Sequence, residues 1–186
     1  YGSERLKEIS IPDSVTEIGV GAFAHCSSLS SITLPFVDFL TDENNQAPFG
    51  YIFFDEEQYE QMSGGFEALY EQLGDLYGNI EEFIYNVVYS EINSSVPEEL
   101  ESVTILGGTE IPQYSFYNCS GLTSVALPES IINIGVAAFN NCQRLKSINL
   151  PNNTTTIEDY SFTNCSELTS ITIPNSVTSI RNSAFY

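Results

Sequence analysis

The sequence predicts a β-rich α/β solenoid of 23-residue repeats, each with a short strand and a short helical turn, interrupted by an inserted α+β subdomain. Residues of one kind recur at this step in three places: Cys119, Cys142 and Cys165; Leu122, Leu145 and Leu168; and Phe116, Phe139, Phe162 and Phe185. Leu6 and Leu29 keep the same step near the N-terminus. Because one such unit cannot bury its own apolar face, several units must stack to form a core.

The elements of the unit can be read from its most complete copy, LKEISIPDSVTEIGVGAFAHCSS at 6–28. Alternation in I-x-I or V-x-L predicts a short strand with one buried face. A proline directly after the strand removes a backbone donor and ends it, at Pro12, Pro35, Pro128, Pro151 and Pro174. Gly19 and Gly135 indicate a corner with unusual dihedral angles. The A-F-x-x-C-x-x-L stretch then predicts one or two helical turns.

The copies divide the chain into three parts. Further copies lie at 122–144, 145–167 and 168–186, and a copy one residue shorter lies at 100–121. We therefore expect N-terminal repeats over 1–35, an inserted subdomain over 36–99 and C-terminal repeats over 100–186. Both ends of the chain cut a repeat at the same position without a polar capping unit, which predicts a fragment of a longer array.

The unit resembles the BspA-type leucine-rich repeat of bacterial surface proteins. The resemblance is carried by ITLP (32–35), VALP (125–128), INLP (148–151), ITIP (171–174), VTEIG (15–19), IINIG (131–135) and the AF-x-x-C segments at 22–26 and 138–142. It implies a leucine-rich-repeat fold, a location outside the cell or on its surface, and a role in adhesion for some members. APFGYIF and SVPEEL also resemble an insertion found in gut-bacterial members.

The insertion at 36–99 differs from the repeats in composition. It contains 15 of the 25 acidic residues, none of the 5 basic residues and 13 of the 23 aromatic residues. PFGYIFF (48–54) predicts a strand, and apolar residues at helical spacing predict two amphipathic helices over 66–73 and 80–88. The acidic residues Asp55, Glu56, Glu57 and Glu60 suit the N-terminal turn of a helix better than a calcium loop.

Charge and residue usage exclude several functions. A net charge of -20 argues against nucleic acid and anionic membranes as partners, and no apolar run is long enough to span a membrane. A single histidine, His25, leaves no other His-dependent catalytic group, and Cys26 beside it should point the opposite way. We therefore predict no enzyme activity, no cofactor and no metal site.

The four cysteines are predicted to be buried and unpaired. Equivalent residues of adjacent repeats lie about 4.8 Å apart, the spacing between strands, whereas a disulfide needs Cβ atoms about 3.8 Å apart. Cys26 lies two repeats from Cys119 and is about 10 Å away on the same spacing. A ladder of core thiols therefore fits the spacing better than disulfides.

Binding is assigned to tyrosines rather than to the outward strand face. That face carries small residues: Ser10, Thr33, Thr104, Ala126, Asn149 and Thr172. Binding hot spots favour larger side chains, so the candidate partner-binding residues are Tyr51, Tyr59, Tyr77, Tyr85, Tyr89, Tyr114 and Tyr117. The favoured hypothesis is a monomeric, non-enzymatic adhesion module that recognises a protein or glycan, such as a host matrix component. The alternative is a structural spacer that projects other domains, with the insertion bracing the array.

Overall fold

A computed structural model describes residues 2–37, 39–42, 45–47, 49–54 and 92–186. These residues form a solenoid whose rungs repeat at 23-residue spacing, as the sequence predicts. We number the rungs in chain order: rung 1 at 6–28, rung 2 beginning at 29, rung 3 at 100–121, rung 4 at 122–144, rung 5 at 145–167 and rung 6 at 168–186. The helices predicted over 66–73 and 80–88 lie outside the described residues.

The predicted strands form a parallel sheet along one side of the solenoid. Its strands, numbered in chain order with those below, are β1 (Glu8–Ser10), β2 (Ser31–Leu34), β5 (Ser102–Ile105), β7 (Ser124–Ala126) and β9 (Ser147–Ile148), in the order β1-β2-β5-β7-β9. A single bridge between Asn149 and Thr172 continues the ladder to rung 6. Alternate residues such as Ile32 and Val103 point inward and are buried.

A second parallel sheet was not predicted. It consists of β6 (Glu110–Ile111), β8 (Asn133–Ile134), β10 (Thr156–Ile157) and β11 (Ser179–Ile180), in the order β11-β10-β8-β6. Each of these strands has two residues, which is too short to produce a recognisable alternation in sequence. In rungs 3 to 6 the part of the unit that corresponds to V-x-x-I-G is therefore a second strand followed by a corner, whereas 15–19 of rung 1 is not a strand. Neither Gly19 nor Gly135 has a positive φ, so the unusual dihedral angles predicted there are wrong.

The A-F-x-x-C segment forms separate turns instead of a continuous helix. In rung 4 the Ala138 N–H donates to the Gly135 carbonyl, and the Cys142 N–H donates to the Phe139 carbonyl, both at 3.2 Å. Ala137 (φ 51°) and Asn141 (φ 62°) have left-handed backbone conformations that stop a helix from propagating. The same two positions are left-handed in other rungs, at Gly21, His25, Tyr114, Asn118, Tyr160 and Asn164.

The core is a column of stacked side chains inside the solenoid. Phenylalanine rings of successive rungs lie 5.2 Å (Phe116 and Phe139), 5.3 Å (Phe139 and Phe162) and 5.4 Å (Phe162 and Phe185) apart. Their planes are within 6° of parallel. The spacing of the rungs thus determines the stacking distance, and each ring covers the faces of its neighbours.

The insertion begins with elements that differ from those predicted. β3 (Phe39–Asp42) and β4 (Asn45–Ala47) pair antiparallel, and Phe49–Ile52 form a turn of 3₁₀ helix. The strand predicted over 48–54 is therefore wrong for Phe49–Ile52. The physical reason is its position, because the segment occupies the corner of rung 2 where other rungs have the turns of A-F-x-x-C.

Candidate functional site

Residues 49–54 complete rung 2 and attach the insertion to the solenoid. In regular rungs the phenylalanine N–H donates to the next rung: Phe116 to the Ala138 carbonyl and Phe139 to the Ser161 carbonyl, both at 2.8 Å. At rung 2 the Phe23 N–H donates to the Ile52 carbonyl at 2.7 Å, and the Phe49 N–H donates to the Ser115 carbonyl at 2.9 Å. The insertion therefore makes the same inter-rung bonds as a repeat, with residues unrelated to the repeat pattern.

Two rings replace the single phenylalanine of a regular rung. Phe49 packs on Phe116 with ring centroids 5.0 Å apart and planes at 44°, and Phe53 packs near Phe23 at 6.1 Å and 47°. Phe49 and Phe53 contact each other edge-on at 5.3 Å. The aromatic column is thus continuous through rung 2, although its rings are tilted there.

Asn93 holds the returning end of the insertion. Its side chain is 2% exposed, and its Oδ1 accepts a hydrogen bond from the Gly50 N–H at 2.6 Å. Its Nδ2 donates to the carbonyls of Tyr117 at 2.8 Å and Tyr114 at 3.4 Å. One buried amide therefore connects residues 49–54 to rung 3. A cavity of about 180 Å³ lies beside it, between Asn93 and Asn118.

Glycines allow close approach where residues 49–54 and 92–99 meet the solenoid, a region that we call the seat of the insertion. A Cβ added to Gly50 would lie 2.4 Å from the Ile92 carbonyl oxygen, and one added to Gly121 would lie 2.4 Å from the Glu98 carbonyl oxygen. A Cβ on Gly21 would lie 2.8 Å from the Phe54 carbonyl oxygen. All three positions would clash with backbone, so the two ends of the insertion fit only because these side chains are absent.

The segment between these anchored ends carries much of the charge. Phe54 and Ile92 are buried on either side of 55–91. Residues 55–91 include 10 acidic residues and no basic ones. Half of the net charge of -20 therefore belongs to a segment whose flanking residues are both buried in rung 2.

Three of the seven candidate tyrosines lie within the described part of the chain, and they are near the seat. Tyr114 is 7% exposed, and its ring contacts Tyr117 edge-on at 5.7 Å. Tyr117 and Tyr51 are partly buried, and the Tyr51 carbonyl accepts from the Gly21 N–H at 3.1 Å. Tyr59, Tyr77, Tyr85 and Tyr89 lie outside the described residues. Tyr160 is more exposed, at 43%.

The outward face of the first sheet forms a shallow depression of about 400 Å³. It is lined by exposed side chains of β7 and β9 such as Ser124 and Ser147, with Thr104, Asn149 and Glu129 beside them. These outward positions agree with the sequence prediction. The depression presents hydroxyl and amide groups without an aromatic ring, so it lacks the residues that usually dominate binding energy.

The thiols are unpaired, and burial makes them poor nucleophiles. Cys26, Cys119 and Cys142 are buried and Cys165 is partly buried. The Cys142 and Cys165 thiols donate to the carbonyls of Phe116 and Phe139, each at 3.1 Å. Burial raises the pKa of Cys165 from 9.0 to about 12 and raises the pKa values of Cys119 and Cys142 as well. The predicted ladder of core thiols is confirmed.

Within the described ranges, no group of three or more His, Cys, Asp or Glu residues is placed to hold a metal ion. The same ranges contain no helix long and apolar enough to cross a membrane.

Comparison with known proteins gives the family. The model of the BspA type leucine rich repeat region matches six copies over residues 1–44 and 88–186, more than half of the chain. The chain belongs to the BspA-type leucine-rich repeat family. The matched ranges leave the central part of the insertion outside the family pattern. Proteins of this family are repeat proteins, typically associated with surfaces, and serve as binding or scaffold modules.

A solved structure supports the same fold. A leucine-rich repeat protein from Bacteroides ovatus ATCC 8483 is 27% identical to this chain with a TM-score of 0.57, over 95% of this chain and 33% of that protein. The chain therefore spans one third of that protein's length. A leucine-rich repeat protein of T. pallidum is 32% identical over 43% of this chain and 40% of that protein, with a TM-score of 0.42. No curated protein sequence matches the chain.

Proposed function

We propose that the chain is a non-enzymatic binding module of a bacterial surface protein, exposed outside the cell, which recognises a protein or glycan partner. In this proposal the solenoid is a rigid mount, and residues 55–91 with the neighbouring tyrosines provide the partner contacts. The supporting observation is the seat of the insertion, where Phe54 and Ile92 are buried on either side of 55–91. An insertion fixed at both ends loses less conformational freedom on binding than a free tail.

Charge suggests the chemistry of the partner. Residues 55–91 contribute 10 negative charges and no positive ones, with Tyr59, Tyr77, Tyr85 and Tyr89 among them. A segment of this kind attracts a basic protein surface at long range, and salt weakens the attraction. Tyrosines contribute contact area at low entropic cost. A basic protein is therefore a better fit than a neutral glycan.

The alternative function is a structural spacer, and one observation favours it. Among the described aromatic residues of the insertion, Phe49, Phe53 and Phe54 are buried, and Phe36 and Tyr51 are partly buried. These residues brace rung 2 and offer little surface to a partner. The proposed binding function therefore depends on residues 55–91 and on the exposed part of Tyr117, since Tyr114 is only 7% exposed.

The test compares the intact chain with a variant in which a short Gly-Ser linker replaces residues 55–91 and the anchors 49–54 and 92–99 are kept. A second variant changes the 10 acids of this segment to Asn or Gln. Each protein is applied to immobilised matrix proteins and to a glycan array at low and high salt. We expect binding to matrix proteins that is lost in both variants and reduced by salt. Absence of binding by the intact chain would favour the spacer.

A further inference from the structure

The two sheets differ at rung 2, because the first sheet includes a strand of this rung and the second, in the described part of the chain, does not. In the first sheet β2 pairs with β5 over four residues, from Ser31 with Ser102 to Leu34 with Ile105, so rung 2 is continuous with rung 3. The second sheet ends at β6, and among the described residues no strand of rung 2 joins it. Rung 2 is therefore joined to its neighbours by a full strand in the first sheet and, among the described residues, by no strand in the second.

The positions of proline in rung 3 match this asymmetry. After the first strand the other rungs have proline, but rung 3 has Leu106, whose N–H donates to the Leu34 carbonyl of rung 2 at 2.9 Å. After the second strand, Gly135 and Glu158 donate to the preceding rung at 2.8 and 3.0 Å. Rung 3 has Pro112 there, which has no N–H to donate. The sequence of rung 3 thus fits a neighbour that offers a first strand and no second strand.

At the corner of rung 2 where other rungs have the A-F-x-x-C turns, two segments that are far apart in sequence meet. Residues 49–54 bond to rung 1 through the Phe23 and Gly21 N–H groups and to rung 3 through the Phe49 N–H. Asn93 then bonds to Gly50, Tyr114 and Tyr117. We call residues 49–54 and Asn93 the clasp. Rung 2 therefore has these bonds at its corner but, among the described residues, no strand in the second sheet, and a cavity of about 180 Å³ adjoins the clasp.

We propose that rung 2 is a hinge. The first sheet continues through it without interruption, and the clasp holds its A-F-x-x-C corner closed. Opening separates residues 49–54 from Phe23 and Phe116 while rungs 3 to 6 stay folded. Phe54 and Ile92, which flank 55–91 in sequence, belong to the same rung and are both buried, so the opening changes the surroundings of both. Units with few stabilising contacts open at lower free energy than the whole protein, and hinges place the change at a few residues.

The experiment measures amide hydrogen exchange of the whole chain, residue by residue, by NMR. We use the term clasp amides for the amides that join the clasp to its neighbours, namely those of Gly21 and Phe23 in rung 1 and of Phe49 in the clasp. The matched amides of regular rungs are those of Phe116 and Phe139. We expect the clasp amides to exchange at least about tenfold faster than the matched amides, with a weaker dependence on denaturant.

A pair of variants tests whether Asn93 holds the clasp closed. Asn93→Ala leaves the buried Gly50 N–H and the Tyr117 carbonyl without partners, so we expect a further increase of about tenfold at the clasp amides and no change at Phe139. Ser161→Ala is the matched control, because Ser161 is also buried and its hydroxyl lies within hydrogen-bond distance of two carbonyls, 2.6 Å from that of Glu158 and 3.0 Å from that of Gly135. It should change exchange in rungs 4 and 5 and leave the clasp amides at their wild-type rates.

Two results would overturn the hinge. One is exchange of the clasp amides at the same rate and with the same denaturant dependence as Phe139, which would mean that rung 2 opens only when the chain unfolds. The other is an equal increase at Phe49 and Phe139 in Asn93→Ala. If that variant does not fold, the wild-type comparison decides alone, and Gly50→Ala provides a second disruption of the clasp.

Discussion

Rungs 4 and 5 and the interrupted rung 2 join their neighbours through the same kind of backbone bond but pack their side chains differently. The phenylalanine N–H donates to the adjacent rung at 2.7–2.9 Å in both regions. Ring planes are within 6° of parallel between Phe139 and Phe162, whereas Phe49 meets Phe116 at 44°. The solenoid therefore requires a backbone bond and an apolar ring at each rung, and it accepts any chain segment that supplies both.

The largest expected effect comes from removing one phenylalanine ring from each region. Phe139 and Phe49 are both fully buried. We expect Phe139→Ala to lower the free energy of unfolding by about 3–5 kcal/mol, as large-to-small core changes do. Phe49→Ala should lower it less, because part of its effect falls on local opening of rung 2. Chemical denaturation followed by circular dichroism measures both, and equal losses would show that rung 2 is an ordinary member of the stack.

Glycine substitutions test how closely the regular rungs approach. A Cβ on Gly135 would lie 2.6 Å from the Gln113 nitrogen and 2.7 Å from the Ile111 carbonyl oxygen of the preceding rung, whereas a Cβ on Gly19 meets nothing within 4 Å. We expect Gly135→Ala to cost about 2–3 kcal/mol through overpacking, and Gly19→Ala to change stability by less than about 0.5 kcal/mol. The two glycines hold the same place in the unit, so thermal melts of the pair isolate the contact between rungs.

Much of the regular stack could be predicted because each rung needs the same apolar residues at the same positions. Three equivalent cysteines and four equivalent phenylalanines show the period, and Ile32 and Val103 show which strand face is buried. The second sheet was missed because its strands of two residues carry no alternation. Helical turns were predicted for A-F-x-x-C from apolar spacing alone, which does not show the left-handed residues Ala137 and Asn141.

The seat of the insertion could not be predicted in the same way. Phe49 and Phe53 replace a repeat phenylalanine without its neighbours in sequence, so no period identifies them. Asn93 is one asparagine among many, and only the fold shows its three bonds. One signal was available, however: proline follows the second strand of rung 3 instead of the first, which marks a change in the preceding rung.

The next prediction concerns the thiol ladder at high pH. Burial raises the pKa of Cys165 from 9.0 to about 12, so the unfolded chain loses this proton first as pH rises. The stability that the neutral thiol contributes is complete below pH 9 and is lost as pH rises toward about 12. Between pH 8 and pH 10 we expect a loss of about 1.4 kcal/mol from this group. Cys165→Ser keeps a donor for the Phe139 carbonyl and does not titrate, so its stability should fall less; parallel pH curves for the two proteins would contradict the assignment.

The smallest expected effect separates local ion pairs from net charge. Arg144 lies 3.7 Å from Glu101, with side chains 49% and 54% exposed, and Arg181 lies 3.5 Å from Glu158, whose side chain is 24% exposed. Exposed pairs contribute at most about 0.5–1 kcal/mol, but either arginine also offsets part of a net charge of -20. If the local pair dominates, Arg181→Gln costs more than Arg144→Gln, because Glu158 is the more shielded partner. If general repulsion dominates, the two variants lose the same stability and both losses disappear in high salt, as denaturation at two ionic strengths would show.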